Sequence, residues 1–464
     1  MFQVNKKSEG FEPKQLEHLT KLRELGIYNL EKIDTAEEAA QAKLMEKRYL
    51  RKLTLEWDSE RSRVEPGAEA VVLESLQPHR NLQVLCIRGH GGPSCPAWLG
   101  DEFAVEGLQS LYLYGVSWEV FPSLGKAWDL CELRFKNIAR LKEFIIEKRF
   151  YKLIRLELIG LGSFEKWVCP AEQDSSLDAY MFPRLQFPQL QELEICDCPE
   201  FLPVIPISWI ESLRRVQILR VKLLELLEYS KSSDGLALKI IGKGDLHSLD
   251  QVLVFDKETG LENLTLDSCP PLQLKHLLML TSLKTLIVED SDCLAGPLGG
   301  QCDVEWLLHV EHIKVDGLNG NIGKELTELL PHLPKLSKLE IRECKNIKQL
   351  VVGVDLQQTT SEMEEDEIIA AEEEDDAGVL LFPANIFDSL RELEFNGCSE
   401  LVLVDPPTRV PGRGWLLANQ PQDINNRRVS SRLVLAQITA RDMCQFLQQQ
   451  CRGLVDSIPK IDID

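Results

Sequence analysis

The chain has 464 residues and a formal net charge of −22, from 74 acidic and 52 basic residues, and only 7% of its residues are aromatic. This balance disfavours a general binder of nucleic acid or of anionic membranes, because such affinity needs a basic surface. No stretch approaches the roughly 18 uninterrupted apolar residues of a membrane-spanning helix, and the first residues lack the apolar segment of a secretory signal peptide.

The pattern apolar-x-x-apolar-x-apolar recurs along the chain and predicts a short strand at each occurrence. Leu108, Leu111 and Leu113 show it clearly. Many intervals between successive occurrences are about 22 to 28 residues, the period of a leucine-rich repeat, in which a strand and a looser return segment form one coil of a solenoid. The occurrences begin at Leu22, Leu50, Leu82, Leu108, Leu130, Leu153, Leu190, Leu213, Leu261, Leu283, Val310, Leu336 and Leu390.

Side chains alternate along a strand, so the apolar residues of each occurrence point to one face. The residues between them would line a concave parallel sheet. Between strands, apolar residues spaced by three or four, such as Leu73 and Leu76, predict helical turns on the convex side. A weaker strand at 236–241 is expected between the occurrences at Leu213 and Leu261. We therefore predict an α/β solenoid, a horseshoe with a parallel concave β-sheet and irregular or helical convex segments.

The predicted organisation has five parts. Residues 1–15 lead into a repeat solenoid at 16–350, and a final repeat follows at 381–405. Between them, residues 351–380 form an acidic insertion, whose ten acidic residues between Glu362 and Asp376 predict a disordered loop. The loop is either a solvated spacer or an electrostatic latch for a basic partner surface. Residues 406–464 are expected to form a linker and then a C-terminal cap or an irregular tail.

Thirteen cysteines form an odd set without paired C-x-x-C motifs. Several of them share one repeat position, three residues after the third apolar residue of a strand. This position predicts a small buried side chain in the turn after the strand. We expect reduced structural thiols, as in an intracellular protein, and neither metal ligands nor disulfides. The four cysteines are Cys198, Cys269, Cys344 and Cys398.

Three further stretches carry a more specific pattern: residues 15–57, residues 76–99 with Ala97-Trp98-Leu99 at their end, and the segment Phe121-Pro122-Ser123-Leu124-Gly125 between two predicted strands. They resemble the C-terminal repeat region of plant nucleotide-binding/leucine-rich-repeat disease-resistance proteins of the coiled-coil type. The resemblance spans roughly residues 10 to 400 and is specific in about the first hundred. Cys198-Pro199 and Cys269-Pro270 also look like repeats of this family.

The resemblance implies a non-catalytic protein-recognition module of an intracellular immune receptor, in the cytoplasm or the nucleus. The implied partners are a pathogen effector, a guarded host protein, or the receptor's own switch domain, which the repeats would hold inactive. The sequence has no G-x-x-x-x-G-K-[ST] loop, so nucleotide binding is not carried over and an isolated repeat region is expected. The alternative is a leucine-rich-repeat substrate adaptor of a ubiquitin ligase.

No spacing of histidines, nucleophiles and carboxylates indicates a catalytic site, so we predict no enzyme, no cofactor and no metal. His90 and the histidines of the other turns are expected to be exposed or locally bonded. Trp57 and Trp98 are expected in the core.

The candidate binding residues are the outward-facing residues that alternate with the apolar positions of three consecutive strands. Adjacent strands are about 4.8 Å apart, so these residues would form one patch. Tyrosine and arginine often anchor protein interfaces; the alternative interpretation is a cross-strand charge ladder on which two tyrosines rest. A second, weaker patch is Arg214, Arg215 and Arg220. The seven candidates are Tyr112, Tyr114, Glu132, Arg134, Lys136, Arg155 and Glu157.

Overall fold

The structure is a computed structural model in which the chain forms two compact units. The N-terminal unit is Met1–Asp245 with Asp250–Glu258, and the C-terminal unit is Leu246–Leu249 with Thr259–Asp464. The residues that the structure describes are 2–5, 12–61, 63, 65–100, 104–119, 124, 127–145, 150–168, 187–202, 212–233, 235–255, 258, 260–292, 294, 307–354, 378–383, 386, 389–398, 401–404 and 432–436.

Buried rows of leucine form the core of each unit. A strand forms at each of the thirteen predicted positions, and its apolar residues are buried, as Leu108, Leu111 and Leu113 are. Leu22 is the exception, since it is partly exposed. Neighbouring strands pair in step, so that Leu111 lies between its equivalents Leu85 and Leu133. One coil alone would leave its leucines exposed on both flanks, which explains why the coils stack.

The strands of the N-terminal unit up to residue 219 are β1 Phe2–Gln3, β2 Glu24–Tyr28, β3 Lys52–Glu56, β4 Val84–Arg88, β5 Ser110–Tyr114, β6 Glu132–Lys136, β7 Glu143–Ile145, β8 Arg155–Ile159, β9 Lys166–Val168, β10 Glu192–Cys196 and β11 Arg215–Leu219. The main sheet begins with β1, which pairs with β2 in parallel, so part of the predicted lead-in belongs to the sheet. Parallel pairing then continues from β2 through β3, β4, β5 and β6, and from β6 to β8, β10 and β11. A separate two-stranded sheet joins β7 and β9.

A hairpin follows β11 and breaks the parallel order. Its strands are β12 Leu224–Ser232 and β13 Gly235–Gly242, and both pairings, β11 with β12 and β12 with β13, are antiparallel. The expected strand at 236–241 therefore exists, but the expectation that every strand stacks in parallel is wrong here. The reason is that β12 and β13 are joined by a tight turn, which is too short for the crossover connection that parallel strands require.

The hairpin also lacks a return segment of its own, and a later part of the chain supplies the cover. Residues 250–258 cluster with the N-terminal unit although they follow the hairpin in sequence. Within them Val252, Leu253 and Phe255 are buried. Burial raises the pKa of Tyr229, on the core side of β12, to about 12, and the nearby carboxylate of Glu258 acts in the same direction.

The return segments of the N-terminal unit are short helices and turns. Helix α1, Ala36–Ala40, begins where the backbone N–H of Glu38 donates to Thr35 Oγ1 over 3.2 Å. Helix α2, Pro66–Ser75, covers the coil of β3, and its Leu73 carbonyl accepts a 3.2 Å bond from Trp98 Nε1. Trp57 and Trp98 are buried, which confirms their predicted place in the core.

The residue after each repeat strand usually has a left-handed backbone. Twelve of the thirteen strands are followed by such a residue, with φ between 45° and 72°. This conformation turns the chain out of the sheet at the same point in every coil, and it favours glycine, asparagine and aspartate. The twelve residues are Asn29, Gly89, Gly115, Asn137, Gly160, Asp197, Arg220, Ser268, Asp290, Gly317, Glu343 and Gly397.

The strands of the C-terminal unit are β14 Asn263–Asp267, β15 Thr285–Glu289, β16 His312–Asp316, β17 Lys338–Arg342, β18 Gln349–Val354, β19 Val379–Pro383, β20 Glu392–Asn396, β21 Val402–Val404 and β22 Arg432–Ala436. Strands β14 to β17 and β20 pair in parallel, and β22 adds an antiparallel strand to β20. A second parallel sheet has β18 between β19 and β21. Helices α3, Leu274–Met279, and α4, Ile322–Leu329, lie between strands.

The predicted insertion at 351–380 overlaps the second sheet at both ends, because β18 continues to Val354 and β19 starts at Val379. Its acidic centre, at 355–377, lies outside the described residues, as does most of the predicted linker and tail at 406–464. Helix α4 packs against this sheet, since Thr327 Oγ1 accepts a 2.9 Å bond from the backbone N–H of Leu381.

Candidate protein-binding surface

The seven candidate residues all lie on one face of the N-terminal unit's main sheet. We call this face, opposite the buried leucine rows, the open face. Tyr112, Arg134 and Glu157 are direct neighbours at the centres of β5, β6 and β8. Glu132 pairs with Arg155 at the starts of their strands, and Tyr114 pairs with Lys136 at the ends. The structure therefore brings the seven residues together across three strands.

Tyr112 joins β5 to β6 through two contacts. Its hydroxyl donates a hydrogen bond to the carboxylate of Glu132. The guanidinium of Arg134 lies 5.1 Å from the centre of the tyrosine ring, in cation–π geometry. Partial burial raises the pKa of the Tyr112 hydroxyl, and the hydrogen bond to Glu132 acts in the same direction.

Glu157 is the hub of the surface, because its side chain is only 7% exposed and three cations surround it. Arg134 Nε lies 3.4 Å from Glu157 Oε1, and Lys136 Nζ lies 3.2 Å from Oε2. Arg155 Nη1 approaches Oε1 at 3.9 Å. A carboxylate that is removed from water is costly unless cations and hydrogen bonds compensate it. These three cations therefore account for the burial of Glu157.

Two residues outside the predicted set complete this arrangement. Arg155 also forms an ion pair with Glu192 on β10. Arg88 on β4 lies 4.9 Å from the ring centre of Tyr114. Glu192 lies between the apolar residues of its strand and Arg88 directly follows the last of its own, so aligning one more repeat on each side would have found them. The contacts are those of a cross-strand charge ladder, and a role of the seven residues in binding remains a prediction.

The second predicted patch does not form. Arg215 begins β11, whereas Arg220 follows its end. Arg215 approaches Gln217, with Nη2 3.4 Å from Oε1, and Arg220 makes two bonds to Asp197, of 2.5 Å from Nε and 2.7 Å from Nη2. The spacing in sequence suggested proximity, but five residues of extended chain separate the two Cα atoms by about 16 Å.

A groove adjoins the charge ladder on the open face. It encloses about 240 Å³ over β8, β10 and β11. Guanidinium and carboxylate groups line it, together with one amide and the edges of two leucines. The lining residues are Arg155, Leu156, Glu157, Glu192, Leu193, Glu194, Arg215 and Gln217.

His90 is fully buried and locally bonded, which is the second of its two expected roles. Its Nδ1 accepts a 2.9 Å hydrogen bond from Trp118 Nε1, and its ring meets Trp57 edge to face at 4.9 Å. Burial lowers the pKa of His90 to about 4, so the ring is neutral at pH 7. Close by, the ion pair of Arg61 and Glu69 is also buried.

The recurring cysteine position is buried, as predicted. Cys198 and Cys344 are fully buried, and the Sγ of each contacts the carbonyl oxygen two residues earlier, at 3.4 Å and 3.1 Å. Burial raises the pKa of these two thiols, to about 11 and about 12. In another coil Ser291 makes the equivalent contact over 3.0 Å. The expectation of a small side chain does not hold in every coil, because the buried Leu161 occupies the same position in the coil of β8.

All eight cysteines that the structure describes are free thiols. Within the same part of the chain, no group of histidines, cysteines and carboxylates has the arrangement of a metal site. No helix among the described residues has the length and apolar character needed to cross a membrane.

Residues 14–138 match the R13L1/DRL21 family of leucine-rich repeats. The disease resistance protein At3g14460 of Arabidopsis thaliana is 30% identical over 215 residues, which are 42% of this chain and 14% of that protein. The disease resistance RPP13-like protein 1 of the same plant is 26% identical over 301 residues, 57% of this chain and 27% of that protein. The chain thus spans between about a seventh and about a quarter of these relatives.

Among solved structures, an internalin of Listeria monocytogenes aligns with 70% of this chain and 84% of its own, at 12% identity and a TM-score of 0.27. The relatives of the repeats are named as plant disease-resistance proteins. The chain is accordingly a leucine-rich-repeat solenoid protein whose repeats at 14–138 match the R13L1/DRL21 family and are similar to those of plant disease-resistance proteins.

Proposed function

We propose that this chain is a non-catalytic protein-recognition module of plant defence that binds its partners through the open face of the N-terminal unit. The partner is a pathogen effector or a guarded host protein inside the plant cell. In a receptor with a nucleotide switch, the same repeats would also hold that switch inactive. A ligand that prefers the released state shifts such an equilibrium only by its difference in affinity for the two states.

The open face is the observation that carries this proposal. Its polar and aromatic side chains are not needed for the leucine core, yet they form an ordered array across adjacent strands. Tyrosine and arginine contribute strongly to protein interfaces, and Tyr112 and Arg134 stack at the centre of this array. The names of the relatives support the defence context.

Affinity capture from plant extract tests the proposal, with the full chain as bait. The bait is compared with the double variant Tyr112→Ala/Arg134→Ala, and circular dichroism checks that the variant is folded. The matched control is Tyr49→Ala/Arg140→Ala, which removes the same residue types from exposed positions outside the strands of the main sheet.

We expect the control to retain the captured proteins and the open-face variant to lose at least one of them. An unchanged set of captured proteins with both variants would contradict the proposed surface. Capture of the scaffold subunits of a ubiquitin ligase would assign the chain to the adaptor class instead.

A further inference from the structure

Charges on the open face are paired over β5 to β8, whereas two carboxylates farther along the sheet are not. The carboxylates of Glu194 on β10 and Glu228 on β12 form no ion pair with any described residue. The polar contact of Glu194 is a 3.7 Å approach of the Cys196 thiol. These two carboxylates lie in one row, on either side of Gln217, and Lys239 on β13 lies opposite Glu228 without an ion pair to it. A partner that covers the row and carries cations would pair with these carboxylates, because an unpaired carboxylate is costly away from water.

An apolar strip runs beside this row of carboxylates. Five open-face side chains at one edge of β8, β10, β11, β12 and β13 face each other in register across the strands, and all except the buried cysteine are partly exposed. At strand spacings of about 4.8 Å the strip is about 19 Å long. The residues of the apolar strip are Ile159, Cys196, Leu219, Leu226 and Ile241.

The repeat itself does not require apolar residues at this edge. On β2 to β6 the equivalent open-face positions are polar or aromatic. The change begins at Ile159 and continues through the hairpin, whose two strands are not part of the repeat. Hydrophobic surface on an otherwise polar face commonly marks an interaction site. The polar residues at the corresponding edge are Tyr28, Glu56, Arg88, Tyr114 and Lys136.

We propose that the apolar strip, with Glu194 and Glu228 beside it, binds a protein segment that places aliphatic side chains next to lysine or arginine. This inference rests on the proposed function and assigns the class of partner. Aliphatic side chains cover the strip, and cations pair with the two carboxylates. The groove next to β10 accommodates a longer side chain, and the guanidinium of Arg215 at its rim favours a carbonyl or carboxylate of the same segment.

Direct titration of the full chain with short fluorescent peptides tests the proposal without knowledge of the natural partner. One peptide alternates leucine and lysine over ten residues. A second has glutamate in place of each lysine, and a third has serine in place of each leucine. We expect the leucine–lysine peptide to bind at least tenfold more tightly than either of the others. Equal binding of the serine–lysine peptide would show that net charge alone explains the binding, and it would overturn the proposal.

Two charge variants locate the site. Glu194→Gln/Glu228→Gln should weaken binding of the leucine–lysine peptide by about tenfold. The matched control is Glu24→Gln/Glu56→Gln, which removes the same charge from the open face at β2 and β3. An equal loss in the control would overturn the proposal. Sedimentation adds a further test, because self-association of the chain that Leu219→Ser abolishes would assign the strip to a second copy and also overturn it.

The outcome is separable from that of the proposed function. If capture of plant proteins depends on Tyr112 and Arg134 but not on Glu194 and Glu228, and the peptides do not discriminate, the proposed function stands and this inference fails. If the peptides discriminate while neither variant changes the captured proteins, the apolar strip is a binding site and the proposed surface at Tyr112 and Arg134 fails.

Discussion

Gly160 follows β8 at a position where both backbone conformation and space require a glycine. Its φ is +68°, and a Cβ there would lie 2.5 Å from Oδ1 of Asn137, the equivalent residue of the preceding strand. The same relation joins Asp290 to Gly317. Left-handed residues in successive coils thus contact one another, and a glycine in one coil makes room for a longer side chain in the coil before it.

Gly160→Ala should destabilise the N-terminal unit by at least about 1 to 2 kcal/mol, the cost of a left-handed backbone for a residue with a Cβ. The displacement of Asn137 adds to this. Urea unfolding followed by circular dichroism measures the change. Gly162→Ala is the control, because no heavy atom lies within 4 Å of its added Cβ. We expect the control to stay within about 0.5 kcal/mol of the natural chain; an equal loss in both variants would refute the argument.

The buried ring of His90 should make the N-terminal unit sensitive to acid. Its pKa is about 4 in the folded chain and 6.5 in the unfolded chain, which therefore takes up the proton first as pH falls. The stabilisation is complete above pH 6.5 and is lost progressively between about 6.5 and 4, on the order of 3 kcal/mol in total.

The free energy of unfolding at pH 7, 5.5 and 4.5 tests this prediction. The carboxylates also titrate in this range, so the informative quantity is the difference between the natural chain and His90→Gln. The variant should lose less stability on acidification even if it is less stable at pH 7. A constant difference across the three pH values would show that His90 does not titrate as its burial implies.

At the scale of the element, the turn after each strand is a recurring unit with its own packing position. In several coils that position is filled by a donor that bonds to the carbonyl oxygen two residues earlier. Cys344 makes this contact with a thiol and Ser291 with a hydroxyl. The side chain therefore adds a second hydrogen bond to a carbonyl oxygen that already accepts a backbone N–H from the preceding coil, while it fills the turn. This explains why two chemically different residues fit.

Replacing Cys344 should separate these two roles. Cys344→Ser keeps the donor, as Ser291 does in its own coil, and should cost less than about 1 kcal/mol. Cys344→Ala loses the bond and leaves a small void, so a cost of about 1 to 2 kcal/mol is expected. Thermal unfolding of both variants provides the comparison, and a serine variant less stable than the alanine variant would contradict the role of the donor.

The elements differ in how far the sequence could predict them. All thirteen repeat strands followed from the leucine pattern, because burial of one strand face depends on that pattern alone. The hairpin was only partly predictable. The sequence predicted a weak strand at 236–241, but the spacing of apolar residues does not distinguish a parallel from an antiparallel strand. His90 could have been placed in the core, since it follows Ile87 by three and therefore shares the position of Cys198.

The candidate site was predictable to a similar degree. Alternation along the strands located its residues, because neighbouring repeats pair in register. The contacts between these residues were not predictable. Glu157 is buried because the long side chains of three cations reach its carboxylate, and the sequence does not show which side chains do so. Lys47 is a comparable case, since it is fully buried and donates a 2.5 Å hydrogen bond to the carbonyl oxygen of Leu16. No local sequence pattern predicts the burial of this lysine.

For the whole molecule, stacked coils imply stability that is local to neighbouring repeats. Leu339→Ala, which removes a fully buried side chain from β17, should cost about 2 to 5 kcal/mol. Hydrogen exchange should rise in peptides from β16, β17 and β20 and stay unchanged in β3 to β5. Leu111→Ala should instead raise hydrogen exchange in peptides from β4, β5 and β6 and leave β16, β17 and β20 unchanged. A uniform rise throughout the chain with either variant would contradict local stability.

The dependence of the hairpin on residues 250–258 has a consequence for synthesis. As the chain emerges from the ribosome, each coil up to β11 can close onto the one before it as soon as its own return turn is available. The core side of β12 and β13 has to wait for sequence that is translated later. Newly made chains that pause between residues 242 and 258 should therefore carry a patch of uncovered aliphatic surface, which a chaperone that binds exposed apolar segments would shield.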